Sequence, residues 1–454
     1  MRKTILFAAV VFAACILAGA QAIADTSESQ ALAKVPKQKI VVFDDPRLTW
    51  EQKEEMIRQA GGEPVRRLVS INAVVGYFPR GMALNLDDQP QISLVADDDY
   101  AQMIVGEAAP LFAPAVPPKA QQTPWGVERI GSSYAWRQAQ GRGVKVCIID
   151  SGVDVTHPDL AGNVMGGANF AESTGTPTTN IEDELGHGTH VNGIIAAMDN
   201  ATGLVGVAPH ATLYQSKVFG SSGYTSWSTI MAGIEYCASI GAQVINMSLG
   251  GSRNNAALHL AVQKAHQQGI VIVAAAGNDY GRPVAFPGAY PEVVGVSASN
   301  INNALAGFSS KGPEVDLIAP GDDILSTYKG GQYREMSGTS MASPHVAGVA
   351  ALILSRNNTL SNVQVQQIME RTAMTLGLAP EAQGRGLVNA RAAVVEASMS
   401  AHDRLMADTP SGTATMPSVQ GPIRIRVPTT LSGIPRRPAN PQQGLQQVRT
   451  IFGN

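Results

Sequence analysis

Between about residues 120 and 398 the chain alternates short apolar runs with longer segments of helical spacing. VKVCIID (144–150), ATLYQSKVF (211–219), AQVINMS (242–248), GIVIVAAAG (269–277) and EVVGVSAS (292–299) are near-continuous apolar runs bounded by glycine or polar turns. Strands with one wet face alternate apolar and polar residues. These do not, which predicts parallel strands covered on both sides. STIMAGIEYCASIG (228–241) and NAALHLAVQKAHQQG (255–269) carry helical spacing, and MASPHVAGVAALILS (341–355) is apolar almost all round, the mark of a buried helix. The pattern predicts a doubly wound α/β domain, a mostly parallel sheet with helices on both faces. Its ligands should gather at the carboxyl ends of the strands.

Residues 25–119 carry a smaller and different pattern. KIVVF (39–43) predicts a strand, WEQKEEMIRQAGG (50–62) an amphipathic helix closed by glycines, LVSINAVVGYF (68–78) one or two strands, and ISLVADD (92–98) another. A β-α-β-β-α-β, ferredoxin-like α+β unit suits this order. Pro-rich LFAPAVPPKA (111–120) then reads as an extended, protease-accessible linker. Residues 399–454 lose all periodicity and are dominated by Pro, Gln, Thr and Arg, so a disordered tail is expected.

The first 24 residues place Arg2 and Lys3 before an apolar stretch and the small residues Ala20, Ala22 and Ala24. That is the layout of a secretory signal peptide. The apolar run falls short of the ~20 residues a membrane span needs. A secreted product, in the medium or the periplasm, follows, with no stable membrane association after signal removal.

Composition narrows the classes further. A formal net charge of -3 gives no electrostatic case for nucleic acid as partner. Two cysteines remain after the signal, Cys147 and Cys237. An exported chain permits one disulfide, but both lie in apolar elements, and two buried free thiols are the expectation. Their spacing is no zinc site.

Candidate chemistry sits at strand ends and helix starts. Asp150 closes the strand VKVCIID, His187 opens the helix in ELGHGTHVNGIIAAM (184–198), and Ser340 lies at the start of the buried helix. Each alone has an ordinary use: a turn carboxylate, a structural histidine, a capping serine. Together, at the mouth of one sheet, they point to nucleophilic catalysis. DSGVDVTHPDL (150–160), HGTHVNG (187–193) and GTSMASPHVAG (338–348) closely resemble the three active-site segments of the subtilisin-like serine proteases, in the same order of Asp, His and Ser. The resemblance runs from about Gln121 to Ser398, and the upstream unit resembles the family's inhibitory propeptide more weakly.

The resemblance implies roles. Ser340 would be the nucleophile, His187 its base, and Asp150 the group that orients the imidazole. Asn278 would donate to the oxyanion together with the Ser340 backbone N–H. Ser337 and Ser343 become local hydrogen-bonding residues, and His190 and His345 structural histidines. Ser222 and Gly223 on one side, and Ser248, Leu249, Gly250 and Gly251 on the other, would flank an extended peptide. AAGND (275–279) and AFPGA (285–289) would wall the pocket for the residue before the cut, Ala276, Gly277, Ala285 and Phe286 among its residues, with Asp279 at its rim.

MDNATGL (198–204) resembles the family's calcium loop, in which Gln121, Asp159 and Asn200 would offer side-chain oxygens and Met198, Thr202 and Leu204 backbone carbonyls to a structural Ca2+. The leading expectation is a monomeric, secreted serine endopeptidase acting on proteins and peptides, made as a self-processed zymogen that residues 25–119 inhibit. The Lys119–Ala120 bond is the candidate cut. The alternative is a catalytically silent scaffold that captures peptides in the same cleft.

Overall fold

A computed structural model describes residues 38–79, 85–104, 120–171 and 177–399. The expected signal segment, the linker through Lys119 and the tail from residue 400 lie outside the described residues.

The apolar runs form one sheet of seven parallel strands: β6 (Lys145–Asp150), β7 (Val164–Asn169), β8 (Thr212–Lys217), β10 (Val244–Met247), β12 (Val271–Ala275), β13 (Val294–Ser299) and β14 (Leu317–Pro320). Their spatial order is β14-β13-β12-β10-β6-β8-β7, with parallel pairing throughout. The strands are apolar on both sides because both sides are covered. Val146 and Ile148 of β6 face a core shared with helices α2 (His187–Ala196) and α5 (Thr339–Arg356), while Cys147 and Ile149 face a second core under α3 (Trp227–Ser239) and α4 (Ala256–Gln267). Chain order reverses direction across β6, so the carboxyl ends of β6 and β10 open onto one crevice.

The amino-terminal unit is an antiparallel sheet of order β2-β3-β1-β4, built from β1 (Gln38–Phe43), β2 (Glu63–Leu68), β3 (Ala73–Tyr77) and β4 (Ile92–Asp97). Helix α1 (Trp50–Gln59), started by a Thr49 capping box, covers one face through Ile57 against Val41, Phe43 and Val74. Of the two helices in the expected motif, this is the one found among the described residues. The other face does not end in solvent. Ile40, Val42, Leu68, Ile71, Ala73 and Val75 join the core beneath α3 and α4. Each fully buried aliphatic side chain contributes roughly 1.5–3 kcal/mol, whereas exposed ion pairs contribute about 0–1 kcal/mol. Burial therefore dominates the docking.

One expectation is overturned. Cys147 and Cys237 are joined in a disulfide, not free thiols. Both are fully buried, one in β6 and one in α3, where the helix packs on the strand. Apolar surroundings argued for thiols only while the distance between the two elements was unknown. Closing a loop with a sequence separation of 90 is expected to stabilise the fold by about 2–5 kcal/mol. The double variant Cys147→Ala/Cys237→Ala, in a Ser340→Ala background that prevents self-digestion, should lose that amount in urea unfolding. An unchanged midpoint would remove the bond from the stability argument.

Candidate active site

Strand β6 delivers Asp150 to the crevice, and Gly186 sets His187 at the first turn of α2. Asp150 Oδ1 accepts from His187 Nδ1 at 2.8 Å and from the Ser151 N–H at 2.7 Å. Both side chains are buried. Burial opposes charging of the His187 ring, but the Asp150 carboxylate, by its charge and its hydrogen bond, and the Asp183 charge together hold its pKa above 6.5. Asp183 was not foreseen from sequence. Its carboxylate accepts from the Ser151 hydroxyl, from the Leu185, Gly186 and Thr189 N–H groups and from the Thr189 hydroxyl, which fixes the loop that carries His187.

Ser340 is the second residue of α5, fully buried. Pro344 inside this helix has no N–H for the Ser340 carbonyl four residues earlier. That carbonyl accepts instead from Ser248 Oγ at 2.9 Å. Ser248 thereby ties the end of β10 to the helix start, and its hydroxyl also meets Ser343 Oγ at 3.0 Å. Ser337 Oγ accepts from the Asp323 N–H, while His190 Nε2 and His345 Nδ1 each bond to backbone carbonyls and the other ring nitrogen of each is buried without a partner among the described residues. Burial pushes these two histidines down, to about 3 and about 4, so both stay neutral.

Asn278 follows β12. Its Oδ1 accepts from the Thr339 N–H at 2.9 Å and the Thr339 hydroxyl at 3.0 Å, which aims Nδ2 into the crevice. The same Thr339 hydroxyl accepts from the Gly277 N–H. Thr339, one residue before Ser340, is a positioning residue that sequence reasoning passed over although it stands in the quoted GTS segment.

An extended peptide already lies in the groove, and it is the chain's own. Strand β5 (Tyr100–Met103) runs antiparallel between β9 (Tyr224–Ser226) and β11 (Leu249–Gly250) as the middle of three strands. The Met103 N–H donates to the Gly223 carbonyl at 3.3 Å and the Ile104 N–H to the Ser248 carbonyl at 3.5 Å. The Ile104 carbonyl oxygen accepts from Asn278 Nδ2 at 3.4 Å and from Ser340 Oγ, which also reaches the Ser248 carbonyl at 3.1 Å. The expected hydrogen bond between Ser340 and His187 is absent. Ser340 Oγ is turned to Ile104, and His187 Nε2 is buried without a hydrogen-bond partner among the described residues.

The walls differ in part from expectation. Ile104 packs its side chain against Ala275 and Ala285, and a Cβ added at Gly250 would stand 2.9 Å from Ile104 Cδ1. It would also stand 3.0 Å from Ala285 Cβ and the Phe286 carbonyl oxygen, so a side chain at 250 would crowd the pocket. Phe286 contributes its backbone, pairing with Gly251, while its ring turns away to Tyr290 at 4.9 Å. The side chain of Ala276 joins Val284 and Val315 behind the wall. Gly277 and Asp279 line the cleft, and Asp279 shares the rim with Arg253 and Arg282. Ser222 folds its hydroxyl onto Tyr224 and stiffens the turn before β9.

The six residues expected around calcium converge. Gln121 Nε2 donates to the carbonyls of Met198 (2.7 Å) and Leu204 (3.4 Å), and Asn200 Nδ2 donates to Asp159 Oδ1 (3.1 Å). Asp159 Oδ2 accepts from the Leu204 N–H and from the hydroxyl of Tyr333, a partner not foreseen. Thr202 bonds Asn200 Oδ1 through its N–H and hydroxyl. Acceptor oxygens thus surround two amides that present oxygen after a half-turn. No cluster of three His, Cys, Asp or Glu side chains able to hold a metal exists among the described residues. One carboxylate with neutral oxygens fits calcium.

A model of the subtilase family matches residues 141–400. The chain belongs to the subtilase family. This subtilase is 41% identical to Subtilisin E of Bacillus subtilis (strain 168) over 347 residues, covering 75% of this chain and 86% of that protein. It is 45% identical to Subtilisin Savinase of Lederbergia lenta over 275 residues, 60% of this chain and 99% of the relative. M-protease of Shouchella clausii (strain KSM-K16) is 46% identical over 275 residues, 60% of this chain and 70% of its own length. The subtilase is a serine endopeptidase of the doubly wound α/β fold.

Its amino-terminal unit meets the catalytic domain through a buried acid. Asp98 accepts from the Ser228 N–H and hydroxyl at the first turn of α3, with Arg66 nearby. Desolvation pushes its pKa from 3.8 up to about 6. The docked state therefore holds a proton that the free unit releases, so the contact is strongest below pH 3.8 and weakens as pH rises through about 6. Affinity of the amino-terminal fragment for the Ser340→Ala catalytic domain should fall by up to ~10²-fold across that window. Asp98→Asn should flatten the profile, and an unchanged slope in that variant would assign the effect to another group.

Proposed function

We propose that this subtilase is exported as an inactive precursor and matures by cutting itself, with Asp150, His187, Ser340 and Asn278 carrying the chemistry. Residues 25–119 serve as the intramolecular inhibitor. One observation carries the reading: the strand ending at Ile104 fills the groove as a substrate strand would, with its last carbonyl at Ser340 and Asn278. The signal-like residues 1–24 support export. No helix among the described residues is long and apolar enough to cross a membrane.

Chemistry follows from the geometry. Backbone bonds to β9 and β11 hold a peptide extended, so binding needs little from its side chains. Rotation about the Ser340 Cα–Cβ bond would release Oγ from the Ile104 oxygen for His187 Nε2, which has no hydrogen-bond partner among the described residues. His187 takes the hydroxyl proton as Oγ adds to the carbonyl carbon, then returns it to the leaving amine. Asp150 holds the ring with Nε2 facing the serine and offsets the transient imidazolium charge. The neutral ring that acts as base prevails only above its raised pKa. Asn278 Nδ2 and the Ser340 N–H stabilise the oxyanion, at the dipole-favoured start of α5. Water then hydrolyses the acyl-enzyme.

Gln121, Asp159, Met198, Asn200, Thr202 and Leu204 would hold calcium, which supplies rigidity and no chemistry. That rigidity joins the start of the domain to the loop after α2. Chelation should shorten the thermal half-life, corresponding to about 2.7 kcal/mol of lost stability where the ion had stood at 100-fold its Kd. Asp159→Asn should make the half-life insensitive to chelator.

The catalytic assignment is tested by labelling with a fluorophosphonate. The mature protein should react, and Ser340→Ala should neither react nor lose its amino-terminal unit. Asn278→Ala should retain KM within a few-fold while kcat falls about 10²–10³-fold, a magnitude taken from the subtilisin precedent. A Ser340→Ala protein that still matures, free of other proteases, defeats the self-processing reading.

A further inference from the structure

The groove is occupied well upstream of Lys119, and that displaces the cut. Three independent contacts fix Ile104 as the residue before the reacting bond. Its N–H is held by the Ser248 carbonyl, its carbonyl oxygen by Asn278 Nδ2 and Ser340 Oγ, and its side chain, only 6% exposed, by Ala275, Ala285 and Gly250. Upstream, Gln102 pairs with Gly250 on one side and Tyr224 on the other, and Ala101 is fully buried in the core that contains Trp227 and Leu249. The register of the whole strand is thereby set. A slip by one residue turns every side chain to the opposite face, putting Met103 in the Ala275–Ala285 pocket and Tyr100 in the place of Ala101.

A cut at Lys119–Ala120 would free Gln121 for the calcium loop. Gln121 does not need freeing. Its N–H donates to the Ala201 carbonyl, the Gln122 N–H to the Gly203 carbonyl, and the Gln122 carbonyl accepts from the Val205 N–H. The segment is pinned by its backbone whether or not chain continues before it.

We propose that the first bond this enzyme hydrolyses is its own Ile104–Val105 bond, leaving a catalytic chain that begins at Val105 and carries residues 105–120 as an amino-terminal extension. The inference rests on the self-processing reading above and adds the position. Ser340 Oγ bonds to the Ile104 carbonyl carbon, the Ile104–Val105 C–N bond breaks, and the Val105 amine leaves with the proton relayed by His187. One water then releases the Ile104 carboxylate and restores the serine. Any loss of residues 105–120 is a second, later cut.

Time-resolved intact mass and amino-terminal sequencing of the full chain during production decide the matter. The earliest cleaved species should begin at Val105, with a complementary fragment ending at Ile104. A first product beginning at Ala120, or anywhere else while the 104–105 bond stays intact, overturns the position but leaves self-processing standing. Wild-type chain that stays uncut, like Ser340→Ala, overturns both. Ile104→Asp places a charge in the apolar pocket and should slow the first cut at least ~10-fold, while Lys119→Asp should leave its rate unchanged. The reverse pattern in the two variants would also overturn the assignment.

Discussion

Strands β9 and β11 each present an edge to the same gap, and an extended peptide is what completes the three-stranded sheet between them. Main-chain hydrogen bonding is obligatory, and unpaired N–H and C=O groups at a closed groove are costly. The gap therefore selects an extended backbone, and the buried spaces beside it select the register. In this chain β5 supplies that backbone. Everything at the site takes its register from the strand: the Ile104 carbonyl at Asn278, the Ile104 side chain between Ala275 and Ala285, and the displaced hydroxyl of Ser340.

The surroundings of Ser340 depend on one local irregularity. Pro344 takes a hydrogen bond out of the first turns of α5, and the orphaned Ser340 carbonyl is recovered by Ser248. Ser248 uses its hydroxyl for the helix and its carbonyl for the peptide strand. The helix that carries the serine and the edge that holds the substrate are thus fixed to each other through one residue. Thr339 does the same between that helix start and the Asn278 amide. Such bonds matter because a donor acts on a developing oxyanion only if it is already aimed.

The amino-terminal unit is held by apolar burial, and the polar contacts at its border set direction and pH response. Glu235 accepts from the Ser70 N–H and hydroxyl, and Asp98 from Ser228. A dock built mainly on buried aliphatic groups persists after a single peptide bond is cut. Under the proposed self-processing, the strand would stay paired in the groove when its carboxyl end is freed.

Much was legible in the chain alone. The unalternating apolar runs specified a two-face-covered parallel sheet, because a strand buried on both sides has no use for polar residues. Three short segments, through their resemblance to the subtilisin-like proteases, pointed to Asp150, His187 and Ser340 as the proposed catalytic residues, and the structure bonds Asp150 to His187. The sequence could not register distances between remote elements. It misjudged Cys147 and Cys237, whose bond exists because α3 lies across β6, and it could not tell that Ala275 and Ala285 of the expected walls meet Ile104 while the Phe286 ring meets Tyr290. It left Thr339 and Asp183 unremarked, since their roles are hydrogen bonds to partners met only on folding. It named Lys119–Ala120, beside the Pro-rich linker, as the candidate cut and had no means to say which segment fills the groove. Tertiary structure decided for Ile104, because register in a paired strand is set by which side chains find buried space, and that space is assembled from segments far apart in the chain.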